Sequence, residues 1–147
     1  MNNTNYTTTE QENQAIKPAV RAEAIRLLIV EDEPAVRRGL LMLFAAEADL
    51  EVVGEASSCE TALNLLPSLC PEVVVVDAEA PRMDRLAAAS ALRLICHKAP
   101  VILLSLHDDP RTRARAEDAG AVAFVAKSMP SDTLLATIRQ VAQMSYS

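Results

Sequence analysis

The segment Val73-Val-Val-Val-Asp77 sets four β-branched residues in a row and ends on an acidic residue. Such an unbroken aliphatic run is typical of a strand that is buried on both faces, as the strands of parallel sheets are. Other short apolar runs occur on either side of it, at Arg26–Val30, Leu50–Gly54, Val101–Leu104 and Val122–Val125. The sequence therefore predicts five strands, several of them covered on both faces.

Longer stretches with helical spacing separate these runs and predict helices at Pro34–Ala46, Ser58–Leu69, Asp84–Cys96, Asp108–Ala119 and Ser131–Met144. Pro34 suits a first helical turn, Ser58 suits an N-cap and Gly120 suits a C-cap. Five strands that alternate with five helices require parallel pairing through right-handed crossovers, with helices on both faces of the sheet. We therefore expect an α/β fold in three layers, a doubly wound domain around a five-stranded parallel sheet.

The composition agrees with one domain built around an aliphatic core. The chain has 147 residues, of which 50% are hydrophobic, 23% charged and only 3% aromatic. This content is enough for a packed core and excludes general disorder. The formal net charge of −6 disfavours direct binding to nucleic acid, because phosphate contact needs clustered Lys and Arg. The three glycines of the whole chain exclude a glycine-rich phosphate loop.

Cysteine usage and the polar start of the chain favour a cytoplasmic protein. Cys59, Cys70 and Cys96 are widely spaced and odd in number, which favours reduced thiols over a disulfide framework or a zinc site. No signal peptide is visible, and the apolar runs are far shorter than the ~20 residues that span a bilayer. We expect a flexible leader over residues 1–24, the domain over 25–143, a short tail over 144–147, and no membrane partner.

Polar side chains follow the predicted strands where each strand ends. Glu31 and Asp32 follow the first strand, Asp77 the third, Ser105 the fourth and Lys127 the fifth. The carboxyl ends of parallel strands meet at one edge of the sheet, where ligand sites form. Carboxylates brought this close repel one another unless a cation joins them, and oxygen ligands suit Mg²⁺ rather than zinc. The sequence therefore predicts a magnesium site at this edge.

The same residue types favour phosphoryl chemistry at that site. Mg²⁺ keeps several waters and takes one or two carboxylates together with phosphate oxygens. A carboxylate can accept a phosphoryl group as the nucleophile and form an aspartyl phosphate. Mg²⁺ and Lys127 would neutralise the transferring charge, and Ser105 would donate a hydrogen bond to a phosphoryl oxygen.

Four segments carry a resemblance to a known family: Arg26-Leu-Leu-Ile-Val-Glu-Asp-Glu-Pro34, Val73–Asp77 with Pro81-Arg-Met-Asp84, Val101-Ile-Leu-Leu-Ser105, and Gly120-Ala-Val-Ala-Phe-Val-Ala-Lys127. They resemble the receiver domains of bacterial two-component response regulators, in particular the branch that usually carries a helix-turn-helix output domain. The match covers about residues 25–143. It implies a flavodoxin-like receiver fold with strand order 2-1-3-4-5, acting in phosphorelay signal transduction.

The resemblance implies a role for each residue at the sheet edge. Asp77 is the expected phosphoacceptor, and the phosphohistidine of a sensor histidine kinase is the expected donor. Glu31 and Asp32 are expected to hold Mg²⁺ together with Asp77 and the backbone carbonyl of Glu79. Lys127 matches the lysine of the family. Such a domain catalyses its own phosphorylation but is not a conventional turnover enzyme.

The resemblance also implies a switch. Ser105 stands where the family has a hydroxyl that moves to meet the phosphoryl group, and Phe124 stands where an aromatic side chain swings inward. The expected output is self-association or the binding of a downstream protein through the face of the fourth helix, fifth strand and fifth helix. Arginines are expected to decorate that face, at Arg111, Arg113, Arg115 and Arg139.

Departures from the family pattern concern loops. Ala80 replaces the usual methionine before Pro81, and Arg85 replaces the usual glycine. Ser128 follows Lys127 where many relatives have a proline in a cis bond. Because a non-proline cis bond costs about 2.5–4 kcal/mol, a trans bond is possible here.

The residues leave alternative functions open. The chain could be the receiver part of a two-domain transcription regulator whose DNA-binding domain is missing, or a binding module that works without phosphorylation. A phosphatase with an aspartyl nucleophile is disfavoured, because such enzymes need a second Asp where this chain has Glu79.

Overall fold

The computed structural model describes residues 23–77 and 86–146, and these form five strands and five helices. The strands are β1 Ile25–Val30, β2 Leu50–Ala56, β3 Val73–Asp77, β4 Val101–Ser105 and β5 Ala123–Ala126. The helices are α1 Pro34–Ala45, α2 Cys59–Leu69, α3 Leu86–Lys98, α4 Pro110–Ala119 and α5 Ser131–Tyr146. All strand pairs are parallel and the order is β2-β1-β3-β4-β5, which confirms the predicted doubly wound sheet.

Two apolar cores form because the central strands are buried on both faces. All five residues of β3 and all five of β4 are buried. Alternate residues of β1 and β3 pack with α1 and α5 on one face, where Phe44 and Ile138 are fully buried. The intervening residues pack with α2, α3 and α4 on the other face, where Ala62 and Ile95 are fully buried. The aliphatic runs of the sequence are therefore strands between two helical layers, as predicted.

Local chemistry explains where α2 and α4 begin and where α4 ends. The Ser58 hydroxyl accepts a hydrogen bond from the Thr61 amide at 3.1 Å, which confirms the predicted N-cap of α2. Gly120 has a φ of 98° and ends α4, a left-handed conformation that favours glycine. The N-cap of α4 is Asp109, whose carboxylate accepts from the Thr112 amide at 2.8 Å. Helix α4 thus begins at Pro110, two residues later than the sequence pattern suggested.

Several boundaries differ from those that the sequence predicts. Strands β3 and β4 continue through Asp77 and Ser105, which the sequence pattern placed just beyond the strands. Helix α5 continues to Tyr146 instead of ending at Met144. The predicted start of the third helix at Asp84 lies outside the described residues, and so does most of the predicted leader.

No disulfide joins Cys59, Cys70 or Cys96 to one another. Burial raises the pKa of the Cys59 thiol to about 12 and that of Cys96 to about 11, so neither is a ready nucleophile. Among the helices in the part of the chain that is described, none is long and apolar enough to cross a bilayer.

Candidate functional site

The register of the sheet brings the predicted site residues to one edge. Val30 pairs with Val76 across β1 and β3, so Glu31 and Asp77 are the next residues on two adjacent strands. Asp77 pairs with Leu104 of β4, which places Ser105 one residue further along. Ser105 in turn pairs with Ala126 of β5, directly before Lys127. The parallel arrangement alone therefore gathers these side chains at the carboxyl end of the sheet.

Asp77 and Lys127 form a partly buried ion pair at the centre of this edge. Asp77 is only 3% exposed, and its Oδ2 lies 2.5 Å from the ammonium Nζ of Lys127. The Lys127 amide donates to the main-chain carbonyl of Ser105 at 2.7 Å, which fixes where the side chain starts. The peptide bond between Lys127 and Ser128 is trans. A trans bond thus still lets the lysine reach Asp77.

Glu31 lies beside Asp77 as a second buried carboxyl group. It is 2% exposed, and its Oε2 accepts a hydrogen bond from the Glu33 amide at 3.0 Å. Burial above all, and then the adjoining carboxyl group of Asp77, raise the pKa of Glu31 to about 8, although Lys127 acts in the opposite direction. Burial and the neighbouring carboxyl group of Asp77 therefore both favour the protonated form of Glu31 when no cation is bound.

The donor atoms at this edge fit a hard divalent cation. Oε1 of Glu31 is buried and has no hydrogen-bond partner among residues 23–77 and 86–146. Such an atom is costly to bury unless something else binds it. The side-chain atoms that could bind a metal ion here are oxygens, the ligand type that Mg²⁺ prefers. Mg²⁺ needs only one or two carboxylates because it retains several waters.

The three predicted carboxylates do not converge equally. Glu31 and Asp77 are in contact, whereas Asp32, which follows Glu31, is only half-buried. Within the described ranges no three His, Cys, Asp or Glu side chains gather into a preformed metal cluster. The predicted carbonyl ligand of Glu79 lies outside the described residues, as do Ala80 and Arg85.

Ser105 and Phe124 occupy the two neighbouring strands. Ser105 is fully buried, and its hydroxyl accepts a hydrogen bond from the His107 amide at 3.0 Å. Phe124 is half-buried on β5 and packs against the core on the α2 and α3 side of the sheet. The guanidinium of Arg113 lies 4.6 Å from its ring centroid. The hydroxyl and the aromatic ring thus sit on adjacent strands, with α4 over the ring.

Two arginines take positions that the sequence did not reveal. Arg139, expected on the face of α4, β5 and α5, instead pairs with Asp49 at 2.8 Å and Glu47 at 2.7 Å, between α1 and β2. Arg37 of α1 donates to the main-chain carbonyl of Glu31 at 2.7 Å. Arg37 and Arg38 are consecutive basic residues near the N-terminus of α1, and the sequence does not show which of them reaches Glu31.

Comparison with known proteins identifies the family. A family model described as the response regulator receiver domain matches residues 27–139. The chain belongs to this family. It is the receiver domain of a two-component response regulator. Receiver domains generally bind Mg²⁺ and are phosphorylated by sensor histidine kinases.

Curated relatives of this receiver domain are longer proteins. The NarL transcriptional regulatory protein of Mycobacterium tuberculosis is 32% identical over 105 residues, covering 71% of this chain and 49% of NarL. A protein-glutamate methylesterase of Moorella thermoacetica is 36% identical over 121 residues, covering 81% of this chain and 28% of the enzyme. The chain therefore spans about half of the NarL regulator and less of the methylesterase.

Solved receiver structures share the fold over nearly their whole length. The signal receiver domain of NarL from Mycobacterium tuberculosis superposes with a TM-score of 0.71 at 29% identity, covering 82% of this chain and 98% of that one. The response regulator domain of CheB from Thermotoga maritima gives a TM-score of 0.70 at 30% identity, covering 82% and 97%. The sheet order and the helix layers are therefore those of a receiver domain.

Proposed function

We propose that this receiver domain, over residues 25–143, accepts a phosphoryl group on Asp77 from the phosphohistidine of a sensor histidine kinase. One observation carries the proposal: Asp77 is a buried carboxylate held between the ammonium of Lys127 and the carboxyl group of Glu31. No other described strand of the sheet ends on a carboxylate. This burial and pairing support Asp77, rather than a solvated surface acid, as the nucleophile.

The transfer itself is a displacement at phosphorus. A carboxylate oxygen of Asp77 forms a bond to the phosphorus, the bond from phosphorus to the imidazole nitrogen breaks, and its electron pair stays with the histidine. Lys127 stays beside the acyl phosphate and neutralises charge that the transfer brings into a buried site. Bound Mg²⁺, held by Glu31, Asp32, Asp77 and the carbonyl of Glu79, would supply charge neutralisation of the phosphoryl oxygens.

Ser105 would connect phosphorylation to the surface. Its hydroxyl is engaged with the His107 amide, at the start of the loop that leads into α4. If the hydroxyl turns to donate to a phosphoryl oxygen, its hydrogen bond with the His107 amide changes, and the loop shifts with it. Leu106 in the loop is 64% exposed and Met129 beyond β5 is 50% exposed, so apolar surface flanks Phe124 on this face. We propose that the face of α4, β5 and α5 mediates self-association or binding to a downstream protein.

A second candidate is the receiver part of a longer transcription regulator. The observation in its favour is that the chain covers only 49% of the NarL regulator that it matches. In that case the same face of α4, β5 and α5 would contact a DNA-binding domain. Genomic sequence immediately downstream distinguishes the two candidates.

The phosphoacceptor assignment can be tested by locating the modified residue. The protein is incubated with Mg²⁺ and phosphoramidate, reduced with borohydride, and digested for tandem mass spectrometry. Because borohydride converts an aspartyl phosphate to homoserine, we expect homoserine at position 77. Homoserine at another acidic position would overturn the assignment.

A further inference from the structure

Arg37 joins the ends of two strands beneath the acidic loop of Glu31, Asp32 and Glu33. Its Nη1 donates to the main-chain carbonyl of Glu31 at 2.7 Å, and its Nε lies 3.1 Å from the carboxylate of Glu55 near the end of β2. The guanidinium is therefore anchored by Glu55 on β2 and holds the main chain at Glu31, directly after β1.

This contact completes the fixation of Glu31. The Glu31 amide already donates to the carbonyl of Ala56 on β2 at 2.9 Å, so Arg37 supplies the partner for the remaining main-chain polar group. The carboxyl group of Glu31 is held separately by the Glu33 amide. With the main chain fixed on both sides, the direction in which Glu31 points toward Asp77 is set.

The charge of Arg37 pairs with Glu55 but is disfavoured by the rest of its surroundings. A positive charge near the N-terminus of α1 opposes the helix dipole. A positive charge beside a cation site also repels the cation, and with the Arg37 side chain only 23% exposed the repulsion is poorly screened. What the residue offers is a planar fork that can bind two acceptors in a fixed geometry.

We propose that Arg37 is a positioning residue for magnesium: through the carbonyl of Glu31, and anchored by Glu55, it holds the acidic loop so that Glu31 faces Asp77. The inference rests on the proposed function, because it takes Glu31 and Asp32 to be magnesium ligands. Arg37 itself would not touch the ion or the phosphoryl group.

The affinity for Mg²⁺ distinguishes a positioning role of Arg37 from a purely electrostatic one. Loss of Arg37 weakens Mg²⁺ binding in the first case and leaves it unchanged or strengthens it in the second. Isothermal titration of the metal-free protein with MgCl₂ would compare R37Q, R37K and R38Q, the last being a charge-matched control at an exposed neighbour. If Arg37 positions the loop, R37Q raises the dissociation constant about tenfold, as loss of partners around metal ligands does. R37K also weakens binding because an ammonium lacks the fork, whereas R38Q does not.

The opposite pattern would overturn the proposal. If Arg37 acts only as a charge, R37Q binds Mg²⁺ as tightly as R38Q or more tightly, and R37K matches the wild type. Circular dichroism and thermal melts in EDTA give the melting temperature of each variant, and the titrations are run well below that temperature, where every variant is folded. A variant that melts early but binds Mg²⁺ normally would make Arg37 purely structural.

The anchor is tested by a double-mutant cycle with E55Q. If Glu55 holds the guanidinium, E55Q weakens Mg²⁺ binding in the wild type but adds little in the R37Q background, since contacting residues are not additive. Additive effects would show that Glu55 acts as a nearby negative charge and not as an anchor. If the wild type itself binds no Mg²⁺, the proposed site fails and this inference falls with it.

Discussion

The guanidinium of Arg113 stacks on the ring of Phe124, with Cζ 4.6 Å from the ring centroid. The same guanidinium lies 2.5 Å from the carboxylate of Asp108, in the loop between β4 and α4. One arginine therefore contacts both the loop that follows Ser105 and the aromatic residue of β5. Arg113 is thus more than a solvated residue of α4, because it packs on the side chain that the family resemblance marks as a switch.

Replacing Arg113 by alanine should free the Phe124 ring. We expect the aromatic proton resonances of Phe124 to shift toward random-coil values and its side chain to sample more rotamers, since the cation no longer covers the ring. Arg111→Ala, which removes the same charge from the same helix, should leave Phe124 unchanged. Only two Phe residues are present, so NMR resolves the ring directly. Equal spectra for the two variants would show that Arg113 does not hold the ring.

The buried carboxyl group of Glu31 should make the metal-free protein less stable as pH rises. Its pKa is raised from 4.5 to about 8 in the fold, so the unfolded chain releases this proton at a lower pH than the folded chain. The contribution to stability is complete below pH 4.5 and is lost as pH rises through about 8.

Thermal melts in EDTA across this pH range check the effect, with Glu31→Gln as the comparison. The variant keeps the shape of the side chain and cannot ionise, so we expect its melting temperature to fall less between pH 4.5 and 8, the interval over which the pKa of Glu31 is raised. Near pH 8 the melting temperature of Glu31→Gln should also exceed that of the wild type. Parallel pH profiles would mean that Glu31 ionises without cost in the fold.

Replacement by alanine should change the free energy of unfolding in opposite directions at two glycines. Gly39 lies in α1 with nothing within 4 Å of an added Cβ, so Gly39→Ala should raise the free energy of unfolding by about 0.5–1 kcal/mol. Gly120 has a φ of 98°, and a Cβ there would lie 3.2 Å from Cβ of Cys96. Gly120→Ala should therefore lower the free energy by about 1–2 kcal/mol or more. Urea denaturation measures both, and changes of the same sign would contradict the backbone assignment of α4.

Lys127 should matter for the rate of phosphorylation rather than for magnesium binding alone. Lys127→Ala removes the ammonium from Asp77, and loss of one such charge-stabilising donor typically slows a reaction by about 100-fold or more. The rate is measured with phosphoramidate at saturating Mg²⁺, and Lys98→Ala at the exposed end of α3 is the matched control. If both variants react at the wild-type rate, the ion pair is structural and takes no part in the transfer.

Sequence patterns predicted this fold well because its central strands are buried on both faces. The unbroken valine run of β3 indicates a strand covered by helices on both faces. The caps at Ser58 and Gly120 depend on residues close in sequence, so a local pattern is enough to predict them. The pattern misplaced the start of α4 because Asp108 and Asp109 are both N-cap residue types. Only the hydrogen bond from the Thr112 amide to the Asp109 carboxylate shows which of the two caps the helix.

Contacts between distant residues were beyond the reach of such patterns. Arg139 and Asp49 lie 90 positions apart, and nothing in the spacing of α5 says that this side chain turns toward α1. Likewise, the contact of Arg37 with the Glu31 carbonyl depends on how α1 leaves the sheet. Sequence reasoning could place Asp77 and Lys127 at one edge because parallel topology does so, but it could not supply the ion pair between them.

The most direct test of the central claim is intact-mass spectrometry of the protein after incubation with phosphoramidate. The wild type should gain the mass of one phosphoryl group with Mg²⁺ and none with EDTA, while Asp77→Asn should gain none under either condition. Asp118→Asn, at an exposed position of α4, should behave as the wild type. A full mass gain in Asp77→Asn, or an equal gain of the wild type in EDTA, would contradict the assignment of Asp77 as the magnesium-dependent phosphoacceptor.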